Sequence, residues 1–342
     1  MRSKPAKGSH RLTERGCSKL TDMPNLRQGT FHLTRVAGID LYLHWSWFLV
    51  AVYEIQGRQG RYSSVAWNVL EYLALFAIVL MHEFGHALAC RQVGGTANRI
   101  LLWPFGGVAY VNPPQRPGAT LWSIAAGPLV NVALAPVLWA AIHLGHDLGW
   151  AQSMPDVYQL ARAVFRIDVG LLAFNILPIF PLDGGQILRS LLWFVIGKAR
   201  SLMVATILGF VGIVGFVALA FVSLAIYPGQ SIWIIAICAF MAINCWSGLR
   251  QAQALLKIAR LPRRPGFACP SCRTAPPLGA YWGCAACHQP FDTFETRGVC
   301  PHCGAVYNKT MCLDCREQRP MSEWVAGAAP GIGVMNGGVG VK

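Results

Sequence analysis

The fold class predicted by the sequence is an all-α polytopic membrane protein. Six transmembrane helices would surround a re-entrant β-hairpin, and a small zinc-ribbon module would lie on the cytoplasmic side. Three observations predict it. The 342 residues have a mean hydropathy of +0.42, with 54% apolar and only 13% charged residues, where soluble domains carry about a quarter charged. Six apolar runs lie near 41–55, 66–90, 119–144, 162–180, 203–227 and 231–249, the pattern of repeated bilayer crossings. Eight of the twelve cysteines form four C-x-x-C pairs between 269 and 315, which reads as metal binding in a reducing compartment rather than a disulfide framework.

Residues 1–30 are polar and basic without periodicity, so they are expected to be disordered and to hold no secretory leader, with Met23 a second candidate start. The first apolar run is short for a span and is extended by Ile39 and the interfacial aromatics Tyr42, Trp45, Trp47 and Tyr53. With the N-terminus inside, the cytoplasmic segments of residues 1–265 hold 19 Lys and Arg and the external ones 4. This positive-inside asymmetry places both termini in the cytoplasm. The net charge of +14 thus follows topology at the lipid bilayer and needs no nucleic acid.

Between the second and third runs, "NRILLWPFGGVAYVNPP" carries β-branched and aromatic residues on both sides of Gly106 and Gly107 and closes on Pro113-Pro114. That is a hairpin signal. Apolar enough to dip into the bilayer, it must line protein or a wet cavity, because non-helical backbone is not tolerated against lipid. A core at 31–250 is followed by a basic linker at 251–266, the cysteine module at 267–320 and a Gly-rich tail at 321–342 that is expected to be disordered.

The second run reads "FAIVLMHEFGHALAC". Ionisable groups inside a membrane are costly and usually functional. On a helix, His82 and His86 stack on one face at i and i+4, and Glu83 lies beside the first. This is the H-E-x-x-H arrangement in which two histidines hold zinc and the glutamate acts as general base; the competing reading is a polar cluster that packs helices together. A catalytic zinc needs a third protein ligand. Asp183, in "NILPIFPLDGG", ends the fourth run at the same expected depth, although an aspartate before Gly-Gly also suits an interfacial turn.

"HEFGH", "FGGVAYV", "AAGPLVN" and "NILPIFPLDGG", with "RVAGIDLYLHWSWF" before them, resemble the site-2 protease family of intramembrane zinc metalloproteases over about residues 33–250. The resemblance implies that His82, His86 and Asp183 are ligands of a catalytic zinc and that Glu83 is the base. It also implies a six-helix core with the site sunk below the cytoplasmic surface. The chain departs from the family at its ends: no PDZ module separates the motifs, and a cysteine-rich tail stands where a CBS pair would follow. Asn131 and Asn175 are the remaining polar candidates, either as donors to the oxyanion or to an unwound substrate, or as interhelical hydrogen bonds. His44 and Glu71 read as packing or interfacial residues.

In the tail, Cys269 and Cys272 lie eleven residues from Cys284 and Cys287, and Cys300 and Cys303 lie eight from Cys312 and Cys315. Pairing of adjacent knuckles gives two four-thiolate sites, so a double zinc ribbon with two structural zincs is expected. The middle two pairs, twelve residues apart, leave another pairing open. Five basic residues against four acidic ones within 269–319 argue against a nucleic-acid surface and for a protein partner in the cytoplasm.

The expected function is therefore an intramembrane zinc endopeptidase acting on single-pass membrane proteins near the cytoplasmic face. The alternative is a non-catalytic zinc-binding scaffold or transporter. Glu83 separates the two, since a scaffold has no use for an unliganded carboxylate beside the metal.

Overall fold

The computed structural model describes residues 29–324 apart from 59, 104, 105 and 227–230. The expected disorder at the N-terminus therefore lies almost wholly outside the described residues, and that of the Gly-rich tail beyond residue 324 does too. The chain opens with strands β1 (Thr30–Val36) and β2 (Ile39–His44) and helices α1 (Ser46–Gly57) and α2 (Val65–Gln92). Strands β3 (Thr96–Trp103) and β4 (Gly106–Asn112) follow, then helices α3 (Pro117–Asp147), α4 (Trp150–Ser153), α5 (Pro155–Asn175), α6 (Asp183–Ile196), α7 (Lys198–Ile226) and α8 (Ser231–Ala259).

Among the described residues, three helices are long and apolar enough to cross a membrane: Val65–Gln92, Pro117–Asp147 and the Lys198–Ala218 part of α7. At 1.5 Å per residue, the 28 residues of α2 reach about 42 Å, past a hydrocarbon core of about 30 Å. The 21 residues of α5 carry Asp156, Arg162, Arg166 and Asp168.

The first expected span is instead divided. Its start is β2 and its remainder α1, whose 12 residues reach about 18 Å and cannot cross alone. The all-α expectation is corrected with it. One hairpin was expected, and the structure has a four-stranded sheet in the order β1-β2-β3-β4.

The reason is visible in β2, where Ile39, Leu41 and Leu43 are buried in alternation with Asp40, Tyr42 and His44, the period of a strand rather than a helix. A two-residue turn at Ala37 and Gly38, both at positive φ, joins it to β1, with Val36 opposite Ile39. β2 runs parallel to β3, and β3 antiparallel to β4.

The buried face of the sheet, including Ile39, Leu41, Ile100 and Leu102, packs on Val79, Ala87 and Cys90 of α2. Arg91, in the last turn of α2, donates to the carbonyls of Ala37, Gly38 and Ala97 (2.5–2.9 Å). These bonds lock the sheet to the helix, and β4 is left as an edge strand. Glu71, toward the other end of α2, is buried against Arg58, Arg61 and the Tyr62 hydroxyl, a packing role as read from the sequence.

After α8 the cysteine module forms two small hairpins, β5 (Trp282–Gly283) with β6 (Pro290–Phe291) and β7 (Lys309–Met311) with β8 (Gln318–Pro320). Its core is Trp282, Phe291, Phe294, Trp324 and the buried cysteines. All four C-x-x-C pairs make the same knuckle. The first cysteine's carbonyl accepts from the residue after the second, and those residues (Arg273, His288, Gly304 and Arg316) all have positive φ.

The pairing differs from the adjacent one. Cys269 and Cys272 meet Cys315 and Cys312 (3.7 Å each), while Cys284 and Cys287 meet Cys303 and Cys300 (3.5 and 3.7 Å). The sites are nested, outer pairs together and inner pairs together. The cause lies in contacts distant along the chain: Ala268 N–H donates to Trp324 O (2.8 Å) and Trp282 Nε1 to Met311 O (3.0 Å), and both draw the ends of the module together.

Candidate functional site

Helix α2 presents His82, Glu83 and His86 on one buried face. Helix α3 approaches that face where its residue is Gly127; a Cβ there would collide with both imidazoles. The approach fixes both rings from behind. His86 Nδ1 lies 2.9 Å from Ser123 O; a carbonyl only accepts, so Nδ1 carries the proton and Nε2 keeps its lone pair. His82 Nδ1 lies 2.6 Å from Asn131 Oδ1, and Asn131 Nδ2 donates to Asp168 Oδ1 at 2.7 Å. The Asp168 carboxylate accepts only, which orients the amide and leaves its oxygen to take the His82 proton.

Of the two readings of Asn131, the interhelical hydrogen bond is the one its contacts fit, and the oxyanion reading is set aside. Asn131 stands behind His82 and is fully buried. Asp168, equally buried, was missed in the sequence. An acidic residue inside an apolar run was its available signal.

Asp183 is the first residue of α6, and its Oδ2 lies 3.0 Å from His82 Nε2 and 3.3 Å from His86 Nε2. The two Nε2 atoms are 3.2 Å apart. Atoms bound tetrahedrally to one zinc at about 2.1 Å are about 3.4 Å from one another, so this trio has the spacing of three vertices of such a site. The nested thiolates pass the same test: Zn–S bonds of about 2.3 Å put sulfurs about 3.8 Å apart, against 3.5–3.7 Å. Among the described residues, three clusters could each hold an ion: His82–His86–Asp183, Cys269–Cys272–Cys312–Cys315 and Cys284–Cys287–Cys300–Cys303.

Glu83 does not join the trio. Its Oε2 accepts the Ala109 N–H of β4 at 2.8 Å, an approach possible because Gly107 has no Cβ to strike the Glu83 side chain. Glu83, the trio and β4 line one cavity of about 490 Å³, together with Asn175, Gln186 and Asn244. Asn175 is thus placed in the cavity; Gln186 and Asn244 were not singled out in the sequence. Gly106 and Gly107, expected between the two strands of the hairpin, instead begin β4 at the same wall, opposite Trp103 and Leu102 of β3.

Two overlapping segments, 71–156 and 143–219, match the model of peptidase family M50, and they contain His82, Glu83, His86 and Asp183. Over residues 71–219 the chain is similar to peptidase family M50. The matched region has several curated relatives. A zinc metalloprotease of Methanocaldococcus jannaschii is 33% identical over 180 residues, covering 53% of this chain and 50% of the relative. A putative zinc metalloprotease of Synechocystis is 30% identical over 243 residues (67% of this chain, 61% of the relative). The putative zinc metalloprotease Rip3 of Mycobacterium tuberculosis is 31% identical over 208 residues (54% and 52%). The chain thus spans about half to three fifths of the length of these relatives. A solved site-2 protease from M. jannaschii is 26% identical, with a TM-score of 0.46 over 64% of this chain and 95% of that one.

Proposed function

We propose that this protein is a zinc-dependent intramembrane metalloendopeptidase. The observation that carries the reading is the convergence of His82, His86 and Asp183 beside an unliganded Glu83, at the open edge of β4, within one cavity. These three residues would hold a zinc ion, which when bound supplies Lewis acidity and makes water a competent nucleophile near neutral pH.

The chain's own groups do the rest. Glu83 takes the proton of the attacking water and returns it to the leaving amine. Asn175 offers an amide N–H to the carbonyl oxygen or to the substrate backbone. A helical substrate hides its carbonyls in hydrogen bonds and must unwind; the β4 edge can then hold it as an added strand. A scaffold would use Glu83 to hold the Ala109 N–H but would have no use for its capacity to take a proton beside the metal ligands.

The finer reading keeps six bilayer crossings with both termini in the cytoplasm, substrates that are membrane-anchored and cut near the cytoplasmic face, and two structural zincs in the ribbon. Co-expression with a panel of single-pass membrane proteins tests the activity: a substrate should be cut by the wild type and accumulate whole with Glu83→Gln. If no member of a broad panel distinguishes the two, the peptidase reading fails.

Topology has its own test. Reporters fused after residue 30 and after residue 260 should both read as cytoplasmic, and one after Gly229 as external. An external C-terminal reporter would overturn the charge argument.

The bonds behind His82 carry a further expectation. Asn131→Ala should weaken zinc binding at the core or lower turnover by about 10–100-fold, the usual effect of losing a group that orients a metal-binding histidine. Chelator competition on purified protein measures it. An unchanged zinc affinity and rate would reduce Asn131 to a packing residue.

A further inference from the structure

A second cavity, about 960 Å³ in volume, opens where the cysteine module meets the ends of α3, α6, α7 and α8. Five cations line it: Arg116 before α3, Lys198 and Arg200 of α7, Arg260 after α8 and Arg273 of the first knuckle. The lining has one carboxylate, Asp314, and Arg263 already holds both its oxygens (2.8 and 3.2 Å). Among the described residues, none of the five cations makes a salt bridge. Lys198 Nζ is aimed by Gln115 Oε1 (2.7 Å) and Asp314 O (3.2 Å).

Positive-inside bias accounts for cations at one end of a membrane protein. It does not account for cations from four separate segments converging on one concavity whose acidic groups, Asp314 and the Cys272 and Cys315 sulfurs, are already committed to Arg263 and to the cysteine cluster. Such a concavity concentrates positive potential and raises the local concentration of anions. The N-termini of α3 and α7 lie in the same wall, and their unpaired backbone N–H groups add to the field.

We propose that this cavity binds a phosphate-bearing anion, which bridges the cysteine module (through Arg273) to the membrane core. The phosphate could be the headgroup of an anionic phospholipid or belong to a soluble polyphosphate. Leu191, Phe194 and Val195 on neighbouring α6 are 49%, 59% and 83% exposed. They offer an apolar surface for acyl chains next to the cations, which favours the lipid. The proposal does not depend on the chemistry at His82.

The test uses the purified full-length protein in nanodiscs and detergent. Retention of phosphatidylglycerol over phosphatidylcholine is measured by native mass spectrometry, and ATP and inorganic pyrophosphate are titrated as soluble probes. Arg200→Gln with Arg260→Gln should weaken binding about tenfold or more. Arg250→Gln with Lys257→Gln, on the same helix end but outside the cavity, should not.

All four side chains are exposed, so folding should survive, and zinc content checks it; if the first pair does not purify, Arg273→Gln alone makes the same comparison. Retention of phosphatidylglycerol without binding of soluble probes assigns the phosphate to lipid, and the converse assigns it to a soluble ligand. No preference for any phosphate probe, or equal loss in both variant pairs, overturns the site.

Discussion

Glu83→Gln is expected to lower the rate of cleavage by about 10²–10⁴-fold, the usual contribution of a general base, while leaving the zinc content of the protein unchanged. The substitution keeps the size of the side chain. It also keeps a carbonyl-type oxygen able to accept the Ala109 N–H that Glu83 accepts at 2.8 Å, so the wall between α2 and β4 should stay in place. What it removes is the capacity to take a proton. Glu83 stands outside the His82, His86 and Asp183 cluster, and for that reason metal binding and turnover should separate in this variant. In His86→Ala they should fall together. The measurement is metal analysis of purified protein with a cleavage assay on a substrate found by co-expression. Near-native turnover by Glu83→Gln would remove the residue from the chemistry, and loss of the core zinc would make it a ligand instead of a base.

Loss of the outer cysteine site should have an effect of comparable size on the C-terminal module. Zinc binding in small modules of this kind contributes about 10–16 kcal/mol at neutral pH, as much as the whole stability of an ordinary domain. Cys269→Ser with Cys272→Ser is therefore expected to remove one zinc ion and unfold the contacts that close the module, among them the bond from Ala268 to Trp324. Adding Cys312→Ser and Cys315→Ser should cost no further zinc, since those four residues form a single cluster. Adding Cys284→Ser and Cys287→Ser instead should cost a second ion. Adjacent pairing makes the opposite prediction for the two combinations, so zinc counting on purified variants decides between them. The core should retain its own metal in each case.

How much of this was legible in the sequence differs from element to element. The i, i+4 spacing of His82 and His86 needs only the helical period, and that period was readable from an unbroken apolar run. Four C-x-x-C pairs likewise announce metal knuckles, because each knuckle is closed by bonds within a few residues of itself. The β2 strand was also available, in the alternation of Ile39, Leu41 and Leu43. It was hidden by the aromatic residues after it, which continue the apolar run into α1. Asp168 was readable only as a carboxylate in an apolar segment, without its partner.

What the sequence by itself determined is what local geometry determines: the pair of histidines with Glu83, the presence of strands between α2 and α3, the knuckles, and an apolar character that requires a bilayer. The tertiary structure alone decided the rest. It set which knuckles meet, that Asn131 stands behind His82 and not in the cavity, that β4 is an open edge against Glu83, and that five cations surround one cavity beneath the cysteine module. The physical reason is the range of the interactions. Helical period and knuckle turns are set by hydrogen bonds a few residues long. The facing of Asn131 to Asp168, of Ala268 to Trp324 and of Lys198 to Asp314 is set by packing between segments that are 37, 56 and 116 residues apart, and no local pattern along the chain encodes it.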